Sequence, residues 1–152
     1  MRVARVRGVF GVMAALAVAG CAAVPSSGPA ASLGSGGGFG SGSVAGRWEQ
    51  RVVTISMAER IADACHDDGI NLAPSPYGGA VHRATEEMVA AGADRAELQA
   101  AYQAQDFGAL SVQIDESLAR KGAVKGQAQS LCRVGAQEIA AGSDLGLTLK
   151  KG

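Results

Sequence analysis

Beyond about residue 46 the apolar positions recur every three or four residues, and no stretch alternates with period two for long. That spacing predicts helices rather than strands. The first helix includes Ser56 to Cys65, with Val52, Ile55, Ala58, Ala62 and Cys65 on one stripe. Two starts compete for it: the stripe allows an earlier beginning, whereas Ser56 followed by Glu59 fits a capping box. Gly69 is a natural stop, and Pro74 and Pro76 mark the loop that follows. A second helix is expected from about Gly78 to Ala91, burying Val81, Ala84 and Met88 with Val89 at the margin, and Gly92 is its C-terminal signal. Asp94 with Glu97 opens a short third helix through Leu98, Ala101 and Tyr102. Asp106 caps a fourth, whose stripe of Phe107, Leu110, Ile114 and Leu118 ends at Gly122. A fifth, from about Gln127 to Ala141, buries Ala128, Leu131, Cys132, Gly135 and Ile139. Gly142 interrupts it, and Ser143 restarts a last turn carrying Leu145 and Leu149. The expected fold is an all-α bundle of about five short helices over residues 47–152.

The N-terminal 46 residues follow a different pattern. Arg2, Arg5 and Arg7 precede an apolar run from Val9 to Ala19, too short for a membrane span of ~20 residues but of signal-peptide length. The run ends in Val18-Ala19-Gly20-Cys21, a lipobox: an aliphatic residue, two small ones that let a peptidase approach, and a thiol to carry lipid. Residues 1–20 are therefore expected to be a lipoprotein signal, with Cys21 lipidated. The alternative is ordinary secretory cleavage, because Ala17-Val18-Ala19 also satisfies the small-residue rule. Ala22 stands where an aspartate would signal inner-membrane retention, which favours an outer membrane facing the periplasm if the host has one. Residues 21–46 form a Gly/Ser-rich tether too poor in apolar surface to offset its ordering entropy. A phosphate-cradling role for its glycines lacks a preceding strand and a Gly-Lys-Ser/Thr ending.

Charge and cysteines narrow the choices. Three of the 14 basic residues leave with residues 1–20, so 11 face 14 acidic ones, a net of −3. No basic footprint remains for nucleic acid. With Cys21 carrying lipid, Cys65 and Cys132 remain as a pair in an oxidising compartment and are expected to form one disulfide. The alternative is two buried thiols acting as small hydrophobes.

Candidate chemistry is sparse. His66-Asp67-Asp68 is the densest polar cluster, and His66 and Asp68 are weak metal candidates, although consecutive residues on a helix end cannot all face one ion. His82 and Glu86 lie four apart and share a helix face, which serves two ligands or an ordinary surface pair equally well. Glu86-Glu87 and Asp115-Glu116 could be read as paired acids for sugar cleavage, but one Trp and two Tyr make a thin stacking platform. No nucleophile elbow, zinc-protease motif or C-x-x-C spacing occurs, and no cofactor is implied.

Three segments carry a resemblance: Ala62-Asp63-Ala64-Cys65, the turn Gly92-Ala93-Asp94-Arg95-Ala96-Glu97-Leu98, and the run from Cys132 through Gly135, Glu138, Gly142 and Ser143 to Gly146. In these, the last taken as the whole run Cys132-Arg133-Val134-Gly135-Ala136-Gln137-Glu138-Ile139-Ala140-Ala141-Gly142-Ser143-Asp144-Leu145-Gly146, and over most of residues 50–150, the chain resembles an uncharacterised family of small exported alphaproteobacterial proteins, domain of unknown function 5333. It departs from the family pattern after the first cysteine, where His66-Asp67-Asp68 replaces a proline or small polar residue. The resemblance implies a helical fold, an envelope location and paired cysteines, and no activity. Three functions follow in order of preference. The first is a lipid-anchored, non-enzymatic module binding an envelope protein partner. The second is a small-ligand or metal-binding domain working through the His66 turn or the Pro74-Ser75-Pro76-Tyr77 loop. The last is a periplasmic hydrolase.

Overall fold

The computed structural model describes residues 42–152; Cys21, the signal segment and the tether through residue 41 lie outside the described residues. In chain order come helix α1 (Val44–Cys65), a 3-10 turn (His66–Asp68), strand β1 (Ile70–Leu72), helices α2 (Ala80–Ala90), α3 (Arg95–Ala104), α4 (Phe107–Arg120), α5 (Ala128–Ala141) and α6 (Asp144–Thr148), and strand β2 (Leu149–Lys151). Among the described residues no helix is long and apolar enough to cross a membrane.

Helix α1 organises the rest. Ser43 caps it, its Oγ accepting from the Gly46 amide at 3.1 Å, and 22 residues give a rod about 33 Å long. Trp48, Val52, Val53, Ile55, Met57, Ala58, Ile61 and Cys65 are all buried along it. These positions point in nearly every direction, because α2, α3, α4, α5, α6 and β1 all pack against this one helix. A helix enclosed on most sides has no single apolar stripe. The expected stripe is present, with Ala62 half-buried, but it is only part of the buried surface. The same enclosure removes the Ser56–Glu59 capping box: both residues lie mid-helix, and Val44 to Gly46, assigned to the tether by composition, are helical.

The peripheral helices follow their end signals closely. Asp94 Oδ1 accepts from the amides of Ala96 and Glu97 to start α3, and Asp106 Oδ1 from those of Gly108 and Ala109 to start α4. Gly92, Gly122 and Gly142 end α2, α4 and α5 in the same way. In each the residue after the glycine donates back five residues, as Ser143 does to the Glu138 carbonyl at 3.3 Å. The buried faces of α2 and α4 match expectation except that Val81 is half-buried, Ala80 and Arg83 are buried as well, and Phe107 is 42% exposed. In α5 the inward face is shifted: Ala128 is exposed at the helix start, while Ser130 and Val134 are buried beside Gly135.

Two strands were not anticipated. Ile70, Asn71 and Leu72 pair antiparallel with Lys151, Lys150 and Leu149. The ladder is continued by Ala73 N–H donating to the Thr148 carbonyl at 2.9 Å and Gly152 N–H to Gly69 at 2.8 Å. Leu149 is buried as expected, but in a strand rather than a helical turn.

Candidate functional site

The most distinctive run, Cys132 to Gly146, is the place to begin. Cys132 on α5 is bonded to Cys65 at the end of α1, with Cα atoms 5.4 Å apart. One turn on, Gly135 lets the two helices meet: a Cβ there would lie 2.6 Å from Ile61 Cγ2 and 3.4 Å from Ile70 Cδ1. Another turn on, Glu138 accepts from Lys121 Nζ at 2.7 Å and from the Ser143 hydroxyl. Burial pushes that carboxyl up, and the Lys121 and Ser143 bonds outweigh it, so its pKa lies below the ordinary value. Gly142, at φ 61°, closes α5. Ser143 Oγ accepts from the Gly146 amide at 3.0 Å to start α6. Gly146 is packed so close to the Glu138 carbonyl that a Cβ would also lie 2.8 Å from Ile139 N. In this run Cys132 and Gly135 join α5 to α1, and Glu138, Gly142, Ser143 and Gly146 shape the turn from α5 into α6.

A second cluster was not anticipated. Glu87 on α2 accepts from Arg51 Nε at 2.8 Å and from Arg83 Nε at 2.7 Å. The Arg51 fork also reaches Thr148 Oγ1 at 3.1 Å, and Arg83 the Ala73 carbonyl at 3.4 Å. Arg83 is buried and Thr148 nearly fully so. Burial raises the Glu87 carboxyl, but the two guanidiniums overcome it and hold it below the usual range. The cluster binds α1, α2 and α6 to the β1–α2 loop. The i, i+4 spacing of Arg83 and Glu87 was visible, but its burial was not. Beside it, burial and the Asp63 charge raise the Glu59 carboxyl, opposed by Arg83 and the Ala80 amide at the start of α2.

The candidates read from the sequence are dispersed. His66 and Asp68 lie exposed on the 3-10 turn, and His66 Nδ1 sits 2.9 Å from Asn71 Oδ1. On α2, His82 packs edge-on to Tyr77 with ring centroids 5.7 Å apart. Glu86 is instead held by Arg95 through two bonds of 2.7 and 2.9 Å, which keep its carboxyl below the usual range. Asp115 pairs with Arg60, and Glu116 lies 3.7 Å from Arg120. Among the described residues no three His, Cys, Asp or Glu side chains converge on a possible metal position.

One surface stands apart. The fully buried Trp48 donates through Nε1 to Thr85 Oγ1 at 2.9 Å and meets Tyr102 edge-to-face at 6.5 Å; Tyr102 in turn tilts onto Phe107 at 5.5 Å. Tyr102 is 44% exposed and Phe107 42%. Between α2 and α3, next to Tyr102, runs an open groove of about 650 Å³.

This architecture defines a class: a disulfide-stapled, predominantly helical domain wrapped round one central helix. Within that class the chain belongs to the Family of unknown function (DUF5333), whose model matches residues 46–150. No curated protein and no solved structure matches it.

Proposed function

We propose that this protein is a lipid-anchored envelope protein that acts without catalysing a reaction, its helical domain serving as an interaction or assembly module. The lipid sits on Cys21, the domain faces the periplasm, and the partner is an envelope protein. The observation that carries the interaction reading is the Tyr102–Phe107 pair. Tyr102 is held part-exposed against the fully buried ring of Trp48, and the part-exposed Phe107 rests on Tyr102. Rigid aromatic side chains of this kind supply much of the affinity at protein interfaces. Cys132, Gly135, Glu138, Ser143 and Gly146 are engaged in joining helices, and the acidic and histidine candidates are dispersed or paired with basic groups. That distribution supports a binding role over a chemical one.

The test is a photo-crosslinking residue placed at Phe107 in cells, in the native chain and in Cys21→Ser. One reproducible envelope protein captured at this position, and weakened by Cys21→Ser, is the expected result. No captured envelope protein, together with intact envelope complexes after deletion of the gene, would remove the assembly reading. Failure of Cys21 to incorporate a fatty-acid label would remove the anchor.

A further inference from the structure

The described residues contain only four aromatic side chains, Trp48, Tyr77, Tyr102 and Phe107. Of these Tyr102 lines the α2–α3 groove, and the other three connect to it through residues that line it. Tyr102 forms part of its wall, and Phe107 and Trp48 back that ring. At the other end Tyr77 packs on His82, which also lines the groove. Among the described residues these aromatic side chains come from four separate elements and loops.

The remaining lining has a consistent chemistry. The half-buried Val81 gives apolar surface over a buried Leu98, while the exposed side chains of His82 and Gln99 offer hydrogen bonds to a ligand. Glu86 and Arg95 also line it, paired through two bonds. Their opposite charges offset one another, so the groove has no net charge with which to select an ionic ligand and is suited to a neutral one. A volume of about 650 Å³ lies within the ~300–1,000 Å³ common for small-molecule sites. The larger groove between α1, α4 and the α5–α6 turn, about 750 Å³, has no aromatic lining and carries charges of both signs.

We propose that the α2–α3 groove is a binding site for a neutral oligosaccharide. Saccharides match it in three respects. Their C–H faces lie on an aromatic or aliphatic surface such as Tyr102 and Val81. Their hydroxyls exchange hydrogen bonds with neutral groups such as Gln99 and His82. An open groove admits an internal segment of a longer chain. This site goes beyond the protein-partner role and does not depend on it.

Trp48 makes the test direct. It is the single tryptophan of the chain, and it touches the groove wall through both Thr85 and Tyr102. The full-length chain in detergent is titrated with chitotetraose and with maltotetraose, following Trp48 fluorescence and calorimetric heat. The expected result is saturable binding of at least one of them. Tyr102→Ala weakens it about tenfold, Gln99→Ala by about threefold to tenfold, and Tyr102→Phe leaves it within about threefold because the ring remains. Three results overturn the proposal. These are no saturable signal with either sugar, equal binding by Tyr102→Ala and wild type, or tighter binding of a uronic-acid oligosaccharide than of the neutral ones. Capture of a protein at Phe107 with no sugar binding would leave the interaction role standing and remove the saccharide site.

Discussion

Replacing Glu87 by Gln would cost more than any other single loss of charge on this domain. The substitution preserves shape and one acceptor oxygen but takes the bonded carboxylate from the guanidiniums of Arg51 and Arg83, only 17% and 9% exposed, leaving Arg83 the unbonded charge of Glu59. Removing one partner of a buried pair typically costs ~3–5 kcal/mol. Glu87 is 23% exposed, so water screens part of that loss, and about 3 kcal/mol is the expected figure. In urea, with a slope of roughly 1–3 kcal/mol per molar, the midpoint should fall by about 1–3 M. Replacing all three groups by apolar ones (Arg51→Met, Glu87→Leu, Arg83→Met) should recover most of the loss, because no charge is then left buried. The pH dependence has a definite sign. Glu87 has a lowered folded-state pKa, so its stabilisation is present above the unfolded carboxylate value of about 4.3 and is lost as the pH falls through the folded value. The gap between wild type and Glu87→Gln must therefore close in acid. Glu138 is shifted the same way but is common to both proteins and cancels. Urea melts followed by Trp48 fluorescence at neutral and acidic pH supply the measurement. A neutral-pH shift under about 0.3 M, or one that persists unchanged in acid, would refute the reasoning.

Other outcomes follow from neighbouring features. Cys65→Ala with Cys132→Ala opens a loop spanning a sequence separation of 67 and should cost about 4 kcal/mol in the chain-entropy treatment, read from urea midpoints. Gly146→Ala should destabilise more than Gly135→Ala in the same melts. At Gly146 the new methyl meets backbone, whereas at Gly135 it meets the side chains of Ile61 and Ile70, and overpacking of about 1–3 kcal/mol is partly offset by ~1 kcal/mol of helix propensity. Glu59→Gln should raise stability at neutral pH. The pKa of Glu59 is raised in the folded chain, so its favourable contribution is complete below the unfolded value and disappears as the pH rises through the folded one. The gain from Gln should accordingly vanish in acid, and a destabilised neutral-pH variant would contradict the assignment.

What could be read from the sequence divides along physical lines. Asp94, Asp106, Gly92 and Gly142 act on amides and carbonyls within a few residues of themselves, so the ends of α2 to α5 were legible. The start of α1 was not, because a helix packed on most sides leaves no periodicity for its boundary to interrupt. β1 is three residues long, too short to show alternation, and its partner lies at the far end of the sequence. The site shows the same division. Cys65 and Cys132 could be paired by elimination. Glu87 looked like one of two surface acids, because its inward turn depends on Arg51, 36 residues earlier in the chain. Nothing local links Trp48, Tyr77, Tyr102 and Phe107, so their shared groove emerges only from the packing of α1, α2 and α3.

The pairing of β1 with β2 also sets a timetable. Ile70 is made early and cannot find Lys151 until nearly the whole domain has been synthesised, and Cys65 likewise waits for Cys132. Local helices can form and dissolve in the meantime, but contacts between such distant residues carry the entropic cost of closing long loops before they stabilise anything. Both closures therefore come late, after α1 and α2 have been made and can already pack on one another.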